Sequence, residues 1–317
     1  MTKPIIATLA GHSALEIFTA AKKGKFETLA LVVAGRERTY SHYYRHLIDK
    51  LITLRHFSQL TDPATRGMFP EEREGRYNQY QILKKSGIEY PKQFKEPKEI
   101  DRLVLVKVRE KIRRYERAFF FAANQAEFYN EGQKLIRIGR ITESDLKEAV
   151  IEEFILGPQV NFNFFYSPLE KRLELLGTDT RRQTNLDGLI RLPSVWQIKF
   201  LEKNNPSYIE SGHISVTVKE SLLEKAFAAA EKILKAAREI SPPGIIGPFA
   251  LQTAVTAGPP SEKIITFDLS LRIPGSPGTA FTPYSSYLFG RNMTCGERIV
   301  MEIEKALKLK SLPKITS

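Results

Sequence analysis

The first 33 residues constrain the fold most, because they alternate between strand and helix signals at a spacing that requires a parallel sheet. Pro4–Leu9 is a short apolar run that predicts a buried strand. A helix follows, with Ser13 and Glu16 spaced as a capping box and Gly24 at its end. Residues 27–33 (ETLALVV) predict a second strand. Strand, helix and strand within about thirty residues indicate a βαβ unit.

The turn between the first strand and its helix is a candidate binding site. His12 and Ser13 lie there, at the carboxyl edge of the predicted sheet, where open α/β folds bind ligands. The N–H groups of a helix start favour a negatively charged ligand. The alternative is a loop histidine that contacts only its neighbours.

The middle of the chain predicts a second, mixed unit. Residues 36–98 are polar and weakly patterned, and we expect mixed helix and loop through Ile88. Prolines at 91 and 97 mark a boundary. The predicted elements here are a helix over 77–85 that stops at Gly87, hairpin strands over 103–108 and 117–123, a helix over 125–137 and a helix from Thr142 to about Val150.

The second half predicts antiparallel strands covered by helices. Strands are expected over 162–166, 172–179, 247–255 and 263–273, and helices over 221–240 and 297–308. The fold class expected from the residues is therefore a parallel α/β unit followed by two mixed α+β units.

Composition narrows the class of protein. The chain has 48 Lys and Arg against 36 Asp and Glu, a net charge of +12, which suits nucleic acid or phosphorylated small molecules. Most of this charge is scattered, so we expect nucleic acid not to be the ligand, although residues 107–117 are densely basic. A single cysteine, Cys295, rules out an internal disulfide. No apolar stretch has the length and continuity of a membrane span or a secretory signal, which predicts a soluble, cytoplasmic protein.

Two strands of the last unit carry candidate ligands for a metal ion and a phosphate. Asp268, Ser270 and Arg272 share one face of the strand over 263–273, because side chains alternate with a period of two. A carboxylate, hydroxyl and guanidinium in this register can hold a cation beside a phosphate. The alternative is a solvent-exposed sheet face. Gln252 lies in an apolar strand, where an amide needs a partner, which a purely structural hydrogen bond would also supply.

The middle unit offers a lysine and a pair of acids. Lys107 interrupts the apolar strand LVLVKV and can reach a phosphate, or can protect an exposed sheet edge. Glu152 and Glu153 lead an apolar strand and can face a nucleoside or water. The metal-site, thiol and glycine-rich phosphate motifs HExxH, CxxC, GxxxxGK[ST] and GxGxxG do not occur.

Several segments in one order resemble the archaeal formate-dependent FAICAR synthetase family, which has the ATP-grasp fold with an N-terminal Rossmann-like parallel α/β unit. They are IATLAGHSALEIFTAAKKG, IEEFILG, NFFYSPLEKRLELLGTDTR, TNLDGLIRLP, NPSYIESGHI, ESLLEKAF, SPPGIIGPFALQ and FDLSLRI. The family forms FAICAR from ATP, formate and the ribonucleotide AICAR, by way of formyl phosphate. The resemblance implies an N-terminal domain over 1–90, a small ATP-grasp subdomain over 91–156 and a large one over 157–317. It also leads us to expect a homo-oligomer.

The resemblance implies a role for each matching residue. Lys107 would contact the ATP phosphates, with Arg272 beside it. The remaining ATP contacts would come from Glu152, Glu153, Phe154, Ile155 and Gln183. His12, with Ser13 beside it, and His213 would contact the ribonucleotide, and Gln252 and Asp268 would hold Mg²⁺ or Mn²⁺.

The sequence departs from the family pattern in the segment that covers the ATP phosphates in family members. Family members carry a glycine-rich covering loop between the hairpin strands, whereas residues 109–115 (REKIRRY) contain no glycine. Backbone N–H groups approach phosphate closely only where no side chain intervenes. His213 stands in place of an asparagine, and Gln183 and Asp268 in place of glutamates. We therefore expect ATP binding to survive better than turnover. A catalytically silent nucleotide-binding paralogue stays open as the second possibility, and a nucleic-acid-binding protein as the third.

Overall fold

The computed structural model describes residues 4–11, 13–55, 78–108, 119–202 and 210–316, which form three sheets. The first sheet is parallel, with the order β1 (Ile6–Leu9), β2 (Thr28–Val33), β3 (Lys50–Leu54), and α1 (Ala14–Lys23) joins its first two strands. The predicted βαβ unit is confirmed. The expectation of only helix and loop through Ile88 is wrong at β3, whose largely exposed side chains give it no alternating pattern.

The predicted capping box at the start of α1 is wrong, because both of its residues have tertiary partners. The Ser13 hydroxyl donates to the carbonyl oxygen of Pro274 and caps nothing. Glu16 Oε1 accepts the Gly296 N–H at 2.6 Å, at the start of α9 (Cys295–Lys308). A Cβ at Gly296 would lie 2.8 Å from the Glu16 carbonyl oxygen, so glycine is needed where the two helices meet. The ends of the chain are thereby held together.

Glu16 should make folding stability depend on pH. Burial raises its pKa from 4.5 to about 7, although the hydrogen bond from Gly296 opposes the rise. The protonated Glu16 side chain stabilises the fold fully below about pH 4.5, and this stabilisation is lost as pH rises through about 7. Glu16→Gln stays neutral, so we expect it to exceed the wild type in unfolding free energy by up to about 3 kcal/mol above pH 7 and to match it near pH 4.

Urea denaturation at several pH values measures this difference. Glu27→Gln, which removes an exposed carboxylate from the same unit, is the matched control. Parallel pH profiles for Glu16→Gln and the wild type would contradict the assignment.

The second sheet has the order β4 (Gln93–Phe94), β7 (Val150–Glu153), β5 (Val104–Lys107), β6 (Phe119–Ala122). The predicted hairpin of β5 and β6 is confirmed. On one face, α3 (Gln125–Arg137) and α4 (Glu143–Lys147) cover a core that includes Val106, Ile151 and Phe128. Thr142 caps α4 as predicted, but the helix ends at Lys147, because Val150 is already paired with Lys107 in the sheet.

The third sheet is antiparallel and consists of β8 (Gln159–Ser167), β9 (Arg172–Gln183), β10 (Glu210–Ser215), β11 (Gly247–Thr256) and β12 (Lys263–Ser270). The strand order is β10, β9, β8, β11, β12. The long helix α7 (Glu220–Ile240) and the short α2 (Gln79–Ser86) contribute to the core on one face. The predicted alternation through 273 is wrong at its end: β12 stops at Ser270, and Arg272 lies exposed beyond it.

The remaining helices are α5 (Thr184–Leu189), α6 (Ser194–Leu201) and α8 (Tyr284–Phe289). None of the helices in the described part of the chain is long and apolar enough to span a membrane. The domain boundaries at residues 90 and 156 stay predictions. Ile82 and Leu83 of α2 precede the first of these boundaries, and they pack into the core of the third sheet.

Candidate active site

A row of polar residues crosses all five strands of the third sheet. In register, the row runs Asp268, Gln252, Asn161, Asp179 and Ser215. The first four are buried, while the apolar residues that alternate with them belong to the core under α7. Gln252 and Asp268 are therefore direct neighbours, and the alternative of an exposed face at Asp268 is wrong.

Side-chain hydrogen bonds within the sheet hold three members of this polar row. Asn161 Nδ2 donates to Asp179 Oδ1 at 3.0 Å, and Arg181 Nη2 donates to Gln252 Oε1 at 2.6 Å. Sequence reasoning missed Asn161, Asp179 and Arg181. The signal was available, because asparagines at 161 and 163 alternate with phenylalanines in the run NFNFF.

Two residues of α2 fix the acids of the site. Gln79 Nε2 donates to Asp268 Oδ1 at 2.8 Å, and Gln79 Oε1 accepts the Leu269 N–H at 2.6 Å. The Tyr80 hydroxyl donates to Glu152 Oε2 at 3.2 Å. Neither residue was predicted, because polar side chains in the first turn of an amphipathic helix resemble a solvent-exposed face.

Lys107 joins the second sheet to the third. Its ammonium group forms a buried ion pair with Glu152 and donates to the carbonyl oxygen of Phe267 in β12 at 3.1 Å. β5 lies between β6 and β7, so the alternative of a lysine that protects a sheet edge is wrong. Burial raises the pKa of Glu152, and the Lys107 charge opposes that rise.

An apolar surface lies beside this ion pair on the same face of the second sheet. Leu105, Phe119 and Phe121 alternate in register with the core residues and are half-buried. The Phe154 ring meets Phe121 edge-to-face, with centroids 5.2 Å apart. Such a surface suits a planar base next to a buried charge.

The acid next to Glu152 has a different environment. The half-buried Glu153 carboxylate accepts from Nη1 of the exposed Arg102 at 2.9 Å. Ile155 follows Phe154 and is half-buried. The structure therefore brings Lys107, Glu152 and Phe154 to one face, and it turns Glu153 away.

His213 lies between two carboxylates at the far end of the polar row. Nδ1 is 2.8 Å from Asp179 Oδ2, and Nε2 is 2.8 Å from Glu210 Oε1. Burial lowers the pKa of His213, but the hydrogen bonds and charges of Asp179 and Glu210 outweigh burial and raise it to about 9. The ring is therefore an imidazolium at neutral pH.

The remaining predicted residues lie around the same face. Gln183 ends β9 in register with Glu210. Gly275 packs against the His213 ring, with an ideal Cβ 3.6 Å from Nε2, and the neighbouring Pro274 accepts from Ser13. His12 and the glycine-free connector at 109–115 lie outside the described residues. Ser13 and His213 are thus brought to one loop although 200 positions separate them.

The charge on His213 is directly testable. In an NMR titration we expect its imidazole to titrate near pH 9. Glu210→Gln should lower that pKa by removing one of the two charges that stabilise the cation. Glu224→Gln, on the helix that covers the opposite face, is the control and should leave the titration in place. An unchanged titration in Glu210→Gln would show that Glu210 does not stabilise the cation.

Comparison with known proteins identifies the family. A domain of unknown function (DUF1297) matches residues 127–317, and a protein of unknown function (DUF1246) matches residues 6–69. The 5-formaminoimidazole-4-carboxamide-1-(beta)-D-ribofuranosyl 5'-monophosphate synthetase of Methanocaldococcus jannaschii is 32% identical, over 98% of this chain and 94% of its own length. That of Archaeoglobus fulgidus is 33% identical, over 95% and 91%. The chain belongs to this synthetase family.

Solved structures agree with this assignment. The IMP biosynthesis protein PurP from Thermococcus kodakaraensis is 25% identical and superimposes with a TM-score of 0.70, over 99% of this chain and 100% of that one. An N5-carboxyaminoimidazole synthetase from Staphylococcus aureus, 13% identical, shows the same fold with a TM-score of 0.57, over 94% of this chain and 76% of that one. The predicted ATP-grasp fold is confirmed, as is the predicted class of an ATP-dependent carbon–nitrogen ligase of purine biosynthesis. The silent paralogue is not favoured.

Proposed function

We propose that this protein formylates AICAR with formate and ATP, and that the reaction takes place between the second and third sheets. The observation that carries the proposal is the buried Lys107–Glu152 pair, which lies against β12 beside the Gln252–Asp268 row. A fixed ammonium next to carboxylate and amide oxygens suits a nucleotide triphosphate with its counter-ion.

The proposed reaction has two steps. A formate oxygen attacks the γ-phosphorus, and the bond from that phosphorus to the ADP oxygen breaks, which gives formyl phosphate and ADP. The AICAR amine nitrogen then attacks the formyl carbon, loses a proton, and expels phosphate. Lys107 neutralises phosphate charge in the first step, and exposed Arg272 approaches from the end of β12.

The base of ATP is proposed to rest on the apolar surface formed by Leu105, Phe121 and Phe154. Ile155, the next residue along the chain, is proposed to extend this surface. Glu152 holds Lys107 in place from the neighbouring strand β7, and Gln183, at the end of β9, is proposed to reach a ribose hydroxyl.

The residues fit a hard divalent cation. Asp268 and Gln252 offer a carboxylate and an amide oxygen from adjacent strands. No cluster of three His, Cys, Asp or Glu side chains suited to a metal ion occurs within the described ranges. The ion would therefore take its remaining ligands from phosphate and water, as Mg²⁺ does. When bound, it would neutralise phosphate charge.

The ribonucleotide is proposed to lie between the first sheet and His213. The imidazolium donates to two carboxylates and can replace one of them with a substrate oxygen as its acceptor. An asparagine in this place would be neutral and could both donate and accept. Ser13 lines the same side, and His12 is proposed to join it. A cytoplasmic location and a homo-oligomer stay predictions.

A coupled assay for ADP release tests this function. We expect release to require ATP, formate and AICAR together. Lys107→Met should lower turnover by about 100-fold or more, because it removes charge stabilisation at the phosphates. Since this change leaves Glu152 alone in the interior, the double variant Lys107→Met/Glu152→Gln is the control for folding. Release that does not depend on AICAR or formate would reject the proposal.

The metal assignment has its own test. Asp268→Asn keeps the oxygen that accepts from Gln79 but removes the charge. We expect Mg-ATP to bind about 10- to 100-fold more weakly by calorimetry, with the fold intact. Asp101→Asn, an exposed aspartate of the second unit, is the control. Equal affinities for the wild type and Asp268→Asn would show that Asp268 does not hold the ion.

A further inference from the structure

A cleft opens at the carboxyl edge of the first sheet and has no role in the site described so far. Its volume is about 450 Å³, within the range of small-molecule sites. The lining comes from the ends of two parallel strands and the turn after them, and consists of Ala10, Gly11, Gly35, Arg36, Thr39 and Tyr40. In parallel α/β sheets this edge is where ligands bind.

The strand ends are bare at this edge. Gly35 has a φ of +89°, and a Cβ there would meet no atom within 4 Å. At Gly11 a Cβ would meet only the Leu9 carbonyl oxygen, at 3.9 Å. A ligand can therefore approach the backbone without side chains intervening.

Arg36 supplies the positive charge of the cleft. Within the described ranges, no carboxylate forms an ion pair with its guanidinium. The nearest acid along the chain, Glu37, is engaged elsewhere, because its Oε2 accepts the Gly35 N–H at 2.8 Å. The guanidinium lies near the Tyr40 phenol: burial raises the pKa of Tyr40, and the Arg36 charge opposes that rise. The Tyr40 hydroxyl itself is held 3.4 Å from the Gly11 carbonyl oxygen.

A short series of contacts relates the cleft lining to the candidate active site. Gly11 in its lining is two positions from Ser13, which is bonded to Pro274. Gly275, the next residue, packs against His213. A molecule with an anionic end in the cleft can thus extend along this loop to the polar row.

We propose that Arg36, with Thr39 and Tyr40 beside it, binds the phosphomonoester of the ribonucleotide substrate and so holds its base toward His213. This proposal rests on the proposed function. An arginine that forms no ion pair with an acid of the described ranges and that lines an open cleft suits a dianionic phosphate, because its planar donors match phosphate oxygens.

The test compares the ribonucleotide with its nucleoside, which lacks the phosphate, by calorimetry without ATP. We expect Arg36→Met to weaken ribonucleotide binding by about 10- to 100-fold and to leave nucleoside binding unchanged. Arg38→Met is the matched control, because Arg38 is exposed two positions away, outside the cleft lining, and stacks on Tyr43. It should bind both ligands as the wild type does.

Competition with inorganic phosphate shows whether the cleft binds the phosphate of the ribonucleotide or that of a separate ligand. If the cleft belongs to the ribonucleotide, phosphate competes with the ribonucleotide and not with the nucleoside. Phosphate that binds through Arg36 without competing would overturn the proposal, since the cleft would then serve a separate ligand. Unchanged ribonucleotide affinity in Arg36→Met would also overturn it. A wild type that binds neither the ribonucleotide nor the nucleoside would instead refute the proposed function.

Discussion

The buried ion pair between Lys107 and Glu152 determines how the two sheets of the ATP-grasp unit meet. Charges in the interior are tolerated only when partners surround them, and each partner here comes from a different element. Glu152 comes from β7, the Phe267 carbonyl oxygen from β12 and the Tyr80 hydroxyl from α2. Moving either sheet would leave a charge without its partners. The same contact that fixes the architecture therefore places an ammonium group where phosphates are proposed to bind.

The polar row of the third sheet depends on the same requirement. Gln252 and Asp268 could lie side by side in the interior only because Arg181 and Gln79 bond to them. Asp179 is held by Asn161 on one side and by His213 on the other. Strand register places each member of the row beside the next, and these side-chain bonds hold the donors of the candidate site in place before any ligand arrives.

The first sheet joins this site through both ends of the chain. Glu16 accepts from Gly296 at the start of the last helix, and Ser13 donates to Pro274 in the loop that packs on His213. Local rules predicted that Ser13 and Glu16 would cap their own helix. They failed because partners from the C-terminal part of the chain occupy both side chains, and no local pattern reveals such partners.

The sequence by itself determined the elements whose signals are local. The βαβ opening, the hairpin of β5 and β6, and α7 follow from periodicity and from turn residues, and the ordered family segments identify the synthetase family. Periodicity also placed Asp268 on one face of its strand, but it did not show that this face is buried. Only the tertiary structure decided that Gln79 and Tyr80 bond to the acids of the candidate site, that β3 extends the first sheet, and that two carboxylates hold His213 in its charged form. These facts depend on contacts between residues far apart in the chain. The free energy of such contacts comes from burial and from hydrogen-bonded pairing, which arise only when distant segments pack together.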